Sequence, residues 1–254
     1  ASDVYKRQGW WHCSFGIITR VRLNKETERR KGIHMSETPT LEGPRYGPAI
    51  EGPPHQLIIL LHGVGSDGKD LIELAPFLAQ SFPNAAFVAP NAPNRYDQGL
   101  SGYQWLSSGI RIEAEVVEAV KTSAKILNAF IDEELRNVGL GPESLALIGF
   151  SQGTMMSLFT APRRDRPIAG ILGYSGRIVG AHLMEADTKS RPPVFLAHGE
   201  MDPVLPIECL DAARQTLEDC DFSVQTLRCP NLGHSIDQKG IEEGTNFLRT
   251  IFGV

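Results

Sequence analysis

Leu145-Ala146-Leu147-Ile148-Gly149-Phe150-Ser151-Gln152-Gly153 is the stretch on which the reading of the fold turns. A short apolar run from Ser144 to Phe150 predicts a strand buried on both faces, and Gly153 to Ala161 predicts a helix directly after it. Between them stands Gly149-Phe150-Ser151-Gln152-Gly153, a G-x-S-x-G pentapeptide. Glycine and serine are common, so the pentapeptide alone carries little weight. Its setting between strand and helix carries much more, because a sharp turn there lifts a serine hydroxyl above the sheet edge. The flanking glycines relieve crowding where such a turn runs close to neighbouring backbone. The competing reading is a tight turn with an incidental serine.

The same alternation runs outward in both directions. Gln56 to Leu61 (QLIILL) predicts a buried strand, Asp70 to Phe82 has helical spacing interrupted by Pro76, and Ala85 to Ala89 predicts another strand. Ile110 to Val138 is the clearest helix, with Ile112, Val116, Val120, Ala124, Leu127, Ile131, Leu135 and Val138 on one stripe and Gly139 at its end. Strands are expected at Ile168 to Tyr174, Pro193 to Ala197 and Phe222 to Arg228, with helices at Ile207 to Asp219 and Gln238 to Phe252. Strands alternating with helices predict an α/β fold: a mostly parallel sheet with helices on both faces. Nothing between the strands resembles a large apolar lid.

The 254 residues carry 25 Lys+Arg and 30 Asp+Glu, a net charge of −5, with 41% hydrophobic residues. Those values exclude a disordered or collagen-like chain. The charge is unevenly spread. Residues 1–34 hold eight basic and three acidic side chains, which leaves 17 basic against 27 acidic in residues 35–254. The acidic body argues against nucleic acid and anionic membrane as partners. Residues 1–34 mix apolar and basic residues without periodicity, so they are expected to be a non-domain segment of upstream or added origin, with a basic interaction arm as the alternative, and 35–254 as one domain. Cys13, Cys209, Cys220 and Cys229 show no C-x-x-C spacing, which suits reduced thiols. No apolar run reaches the ~20 residues of a membrane span and no secretory signal is evident, so the expected location is cytoplasmic.

A serine needs a base to become a nucleophile at neutral pH. Where a strand–turn–helix carries the serine, its acid and histidine partners follow it in that order. His12, His34, His55 and His62 precede Ser151, which leaves His182, His198 and His234. His234 sits in Asn231-Leu232-Gly233-His234-Ser235, a loop between the last strand and the last helix, and is the favoured base. His198 ends a strand ahead of the best acid and reads as structural; His182 reads as a surface residue. Asp202 follows the strand Val194-Phe195-Leu196-Ala197, at the carboxyl edge where α/β active sites gather. Glu200, Asp187 and Asp211 are its rivals. After the first core strand, His62-Gly63-Val64-Gly65-Ser66-Asp67-Gly68 offers the N–H of Val64 as a partner to that of Gln152 in an oxyanion hole. The glycines lack a G-K-[ST] or G-x-G-x-x-G pattern, so nucleotide binding is not expected.

These motifs, with His198-Gly199, Asp202-Pro203-Val204, Pro206 and Gly233-His234, resemble the phospholipase/carboxylesterase family of α/β hydrolases. The resemblance runs from about Gln56 to Phe252. Pro90-Asn91-Ala92-Pro93 and Gly102-Tyr103-Gln104-Trp105 look closer to its bacterial carboxylesterase branch than to acyl-protein thioesterases. It implies the α/β-hydrolase fold, Ser151, Asp202 and His234 as triad, Val64 and Gln152 as oxyanion donors, and a homodimer as a frequent state. No metal or cofactor is required by such chemistry.

Residues 91–109 form a long connection of the kind that carries function more often than decoration. Trp105 and Leu106, with Leu205, are expected to line an acyl site; the alternative is that they pin the loop to the core. Together these readings predict a serine carboxylesterase for short- to medium-chain esters, acting on a small-molecule substrate without stable membrane association. A lysophospholipase or an acyl-protein thioesterase is the alternative within enzymes, and a non-catalytic α/β-hydrolase-fold binding protein the alternative outside them.

Overall fold

The apolar runs of the sequence become the middle of a seven-stranded sheet. The computed structural model describes residues 40–254, so the expected segment 1–34 and the boundary at residue 35 lie outside the described residues. Among the described residues nine strands follow in chain order: β1 (Arg45–Tyr46), β2 (Gln56–Leu61), β3 (Ala85–Val88), β4 (Asn94–Arg95), β5 (Tyr103–Gln104), β6 (Leu145–Phe150), β7 (Gly170–Tyr174), β8 (Val194–Gly199) and β9 (Val224–Cys229). The main sheet has the order β1-β3-β2-β6-β7-β8-β9, and β4 and β5 form a separate two-stranded hairpin. Every neighbouring pair in the main sheet is parallel except β1 with β3.

The helices are α1 (Gly68–Leu71), α2 (Ala75–Ala79), α3 (Glu113–Val138), α4 (Gln152–Thr160), α5 (Met184–Asp187), α6 (Glu208–Asp219) and α7 (Gln238–Phe252). They cover both faces, which is why the central strands read as continuous apolar runs. Along β2, Leu57, Ile59 and Leu61 enter a core with α3, α4 and α6, while Ile58 and Leu60 enter a second core with α1, α2 and α7. The strand period of two thus divides one apolar run between two cores.

Several boundaries differ from those expected. The helix expected over Asp70 to Phe82 is α1, a 3₁₀ turn at Ile72–Leu74, and α2. Asp67 starts it by accepting the N–H groups of Lys69 and Asp70, and Pro76 occupies the first turn of α2, where a missing N–H leaves no bond unmade. The long helix begins at Glu113, not Ile110, because Ile112 is extended with ψ 121°; the residue is 59% exposed and leaves the core stripe. Gly139 ends that helix at φ 69°, as a C-terminal glycine does. Strand β8 runs on through His198 and Gly199.

Topology places the site. From β2 the chain goes to β3 on one side and returns to β6 on the other, so the loops after β2 and β6 flank a switch point. Leu61 at the end of β2 pairs with Gly149 near the end of β6. At that junction α4 packs so close to β2 that a Cβ on Gly153 would lie 1.8 Å from the Leu61 carbonyl oxygen. Gly153→Ala is therefore expected to destabilise the protein by about 3 kcal/mol, the upper range of overpacked cores. A chemical-denaturation midpoint equal to wild type would refute that close approach.

Candidate active site

The elbow after β6 is strained. Ser151 has φ 53° and ψ −114°, a left-sided conformation that a side chain adopts only when its surroundings enforce it. Its N–H donates to the Tyr174 carbonyl at 2.9 Å. Thr154, in the first turn of α4, donates its hydroxyl toward the Gly149 and Tyr174 carbonyls and accepts the Tyr174 N–H. These bonds tie the turn to β7. They leave the Ser151 side chain at the carboxyl edge of the sheet, as the pentapeptide predicted.

Three candidate residues come together there. His234 Nε2 stands 3.0 Å from Ser151 Oγ, and His234 Nδ1 stands 2.7 Å from Asp202 Oδ2. A carboxylate accepts, so Nδ1 carries the proton and Nε2 presents its lone pair to the serine hydroxyl. The Phe150 ring packs against the His234 imidazole with centroids 5.0 Å apart. Asp202 Oδ1 accepts the N–H groups of Val204 at 2.8 Å and Leu205 at 2.9 Å. Burial alone would raise the Asp202 pKa, but the Leu205 amide, His234 and the Val204 amide outweigh it and hold the carboxyl below its usual range. Of the rival acids, Asp187 pairs with Arg163, and Asp211 and Glu200 pair with Arg228.

The expected oxyanion donors flank the same serine. The N–H of Gln152 opens α4 and is one of the donors that a helix cannot satisfy internally. The N–H of Val64 makes no backbone hydrogen bond among the described residues. Gly63, next to it, approaches so closely that a Cβ there would lie 3.2 Å from Ser151 Cβ. The loop is held by the Tyr103 backbone: Gly65 N–H donates to the Tyr103 carbonyl and Tyr103 N–H to the Ser66 carbonyl, each at 2.8 Å.

Sequence reasoning did not foresee two of the groups that fasten this region. His62 is fully buried; its Nε2 accepts the Ala92 N–H at 3.0 Å, so Nδ1 donates to the Gly63 carbonyl at 2.7 Å. Burial pushes its pKa below the ordinary histidine value. The Gln152 side chain accepts the N–H of Trp105 at 3.0 Å and donates to the Leu106 carbonyl at 2.9 Å. The only signal for either in the sequence is a polar residue directly abutting a buried run.

The expected acyl-site residues differ in burial. Trp105 is 0% exposed, its indole N–H donates to the His62 carbonyl at 3.0 Å, and Ser123 bonds its carbonyl. With no free surface in this structure, Trp105 fits the alternative role, an anchor of the 91–109 connection, better than a pocket wall. Leu106 is buried beside it, and Leu205 is half-buried on the turn that follows Asp202. No group of three His, Cys, Asp or Glu side chains is placed to hold a metal among the described residues.

Fold and site together define an α/β hydrolase. The phospholipase/carboxylesterase family model matches residues 49–252, and the chain belongs to that family. Acyl-protein thioesterase 1 of Kluyveromyces lactis is 30% identical over 215 residues, covering 77% of this chain and 92% of that one. Esterase YpfH of Escherichia coli is 29% identical over 201 residues, covering 78% and 83%. The crystal structure of esterase PE8 matches with a TM-score of 0.79 at 39% identity, covering 84% of this chain and 99% of that one. The chain is accordingly a hydrolase of the carboxylesterase/acyl-protein thioesterase family, with serine esterase or thioesterase activity.

Two outcomes are expected. Trp105→Ala should cost about 3–5 kcal/mol of stability through the cavity it leaves, while the preference for acyl chain length stays that of wild type; an altered preference in a series of esters would restore Trp105 to the pocket. Because the Asp202 pKa is depressed in the fold, its stabilisation is present above the unfolded value near ~3.9 and is lost as pH falls through the folded value. Asp202→Asn should therefore reduce the acid-induced decline in melting temperature below about pH 4. Equal declines in the two proteins would contradict the depressed pKa.

Proposed function

We propose that the protein is a serine carboxylesterase that hydrolyses short- to medium-chain carboxylic esters through an acyl-enzyme. The observation that carries this reading is the relay from Ser151 Oγ through His234 to Asp202, with links of 3.0 Å and 2.7 Å. In this reading Ser151 Oγ attacks the ester carbonyl carbon while its proton passes to His234 Nε2. The carbonyl oxygen, now an oxyanion, accepts the N–H groups of Val64 and Gln152, each worth roughly 3 kcal/mol to the transition state. His234 returns the proton to the departing alkoxide, and the C–O bond to the alcohol breaks. Water then repeats the sequence: His234 takes its proton, the hydroxide oxygen bonds the acyl carbon, and Ser151 leaves with that proton. Asp202 stays ionised and stabilises the imidazolium.

The surroundings of the site bear on substrate size. The 91–109 connection is fastened at Ala92, Tyr103, Trp105 and Leu106, as a fixed strap is and a moving lid is not. The acidic body of the chain suits small esters better than anionic lipid surfaces. No described helix is long and apolar enough to cross a membrane. Within this proposal, residues 35–254 act as the catalytic domain in the cytoplasm, as a monomer or a homodimer, without nucleic acid.

An acyl-protein thioesterase is the second reading. It is favoured by the relative of that name at 30% identity, and the same oxyanion hole accepts a thioester carbonyl. The test combines labelling and turnover. A fluorophosphonate is expected to label the wild type and not Ser151→Ala, whose kcat should fall by at least about a thousandfold. A p-nitrophenyl ester series run beside an acyl-thioester should give the higher kcat/KM on short- to medium-chain esters. A folded wild type that takes no label would end the serine-hydrolase reading, and a thioester preference would replace the first reading with the second.

A further inference from the structure

Behind Asp202 lies a second histidine that the proposed triad does not use. His198 is the fifth residue of β8; its side chain is 1% exposed and that of Asp202 is 0% exposed. Its Nε2 stands 2.9 Å from the Leu205 carbonyl oxygen and 3.3 Å from Asp202 Oδ2. A carbonyl only accepts, so Nε2 carries the proton, and that one N–H faces both oxygens. Leu205 in turn donates its own N–H to Asp202 Oδ1 at 2.9 Å. A closed circuit runs from the Asp202 carboxylate through the Leu205 peptide to the His198 imidazole and back. Oδ2 is shared by two imidazoles, His234 at 2.7 Å and His198 at 3.3 Å.

This arrangement restricts the carboxylate from the side away from the substrate. Turning it away from His234 breaks contacts to His198 and to two amides inside a region where unpaired polar groups are costly. The adjacent residue touches the other loop: a Cβ on Gly199 would lie 2.3 Å from the Leu232 oxygen and 2.4 Å from the Gly233 oxygen. Met201 N–H donates to the same Leu232 oxygen at 2.9 Å. The dipeptide His198-Gly199 therefore bears on both the turn of Asp202 and the loop of His234.

We propose that His198 is a positioning residue for ester hydrolysis: its Nε2–H holds the Asp202 turn so that the carboxylate stays aimed at His234 Nδ1. The proposal rests on the Ser151–His234–Asp202 reading. It replaces the expectation of a purely structural strand-end histidine, since its effect on rate passes through Asp202.

The experiment uses the full chain with His198→Gln, which carries an N–H to about the reach of Nε2, His198→Asn, one methylene shorter, and His198→Phe, which fills the ring space without a donor. Each is made alone and with Asp202→Asn, and folding is checked by circular dichroism and melting temperature. On an activated p-nitrophenyl ester, kcat is expected to fall about tenfold in the Asn and Phe variants while KM stays within about twofold, and Gln should recover to within about threefold of wild type. With Asp202→Asn present there is no carboxylate to aim, so the same substitutions should change the residual kcat by less than about twofold. Wild-type kcat in the folded Asn or Phe variant overturns the proposal, as does an equal fold-loss in both backgrounds. Should Phe not fold, the comparison of Gln with Asn decides, since the two differ by one methylene. Failure of the triad reading is distinct: Ser151→Ala would then keep its activity whatever His198 does.

Discussion

The position of the Ser151 hydroxyl depends on the close approach of helix α4 to strand β2. Gly153 lies so near the Leu61 carbonyl that no side-chain atom fits between them, and a Cβ on Gly149 would lie 2.4 Å from the backbone of residues 153 and 154. That approach forces the turn between them to be tight, and the tightness appears as the positive φ of Ser151. Such a conformation costs of order 1–3 kcal/mol for a residue with a side chain, so it persists only where the surroundings over-determine it. Here the parallel ladder of β2, β6 and β7 holds the strand end, and Thr154 bonds the turn to the Tyr174 backbone. The strain is therefore part of what presents the hydroxyl.

Around this elbow the protein uses buried polar groups as fasteners. His62, Gln152 and Ser123 each bond backbone of the 91–109 connection or of the loop after β2. A buried polar side chain with all its bonds made allows few alternative arrangements, because each alternative leaves a donor or acceptor without a partner. Gln152 joins the two halves: its N–H is a proposed oxyanion donor, while its side chain grips the strap whose indole bonds the His62 carbonyl. Val64, the other proposed donor, lies two residues beyond His62. One strap thus bears on the backbone of both donors.

Much of the architecture was legible in the amino-acid order. QLIILL and LALIGF read as strands because each feeds two cores, and α7 matches its expected bounds because its apolar spacing and its capping Asp237 are local. Where reading failed, a neighbour distant in sequence was responsible. The β4–β5 hairpin and β1 are two-residue strands whose pairing partners decide them. Ile112 fits the helical stripe by spacing, yet the chain is extended there and the side chain faces solvent. Trp105 read as a pocket residue because large side chains on long loops often contact ligands. Anchoring the loop was the alternative reading, and the hydrogen bond to His62, 43 residues away, is what favours it.

The G-x-S-x-G turn and the alternation of strands and helices follow from residues close together in the chain, and the order of serine, acid and histidine from their succession along it. Local sterics and periodicity suffice for them, and all of them lie within the residues 49–252 that the family model matches. Distances are another matter. Ser151 and His234 are 83 residues apart, and Asp202 and His234 are 32 apart; only the sheet order brings their loops to one edge. The tertiary structure alone set the side-chain orientations, the buried partners of His62 and Gln152, and the contact of His198 with the acid. Each of these depends on packing between segments that the chain order leaves far apart, so no local pattern could record them.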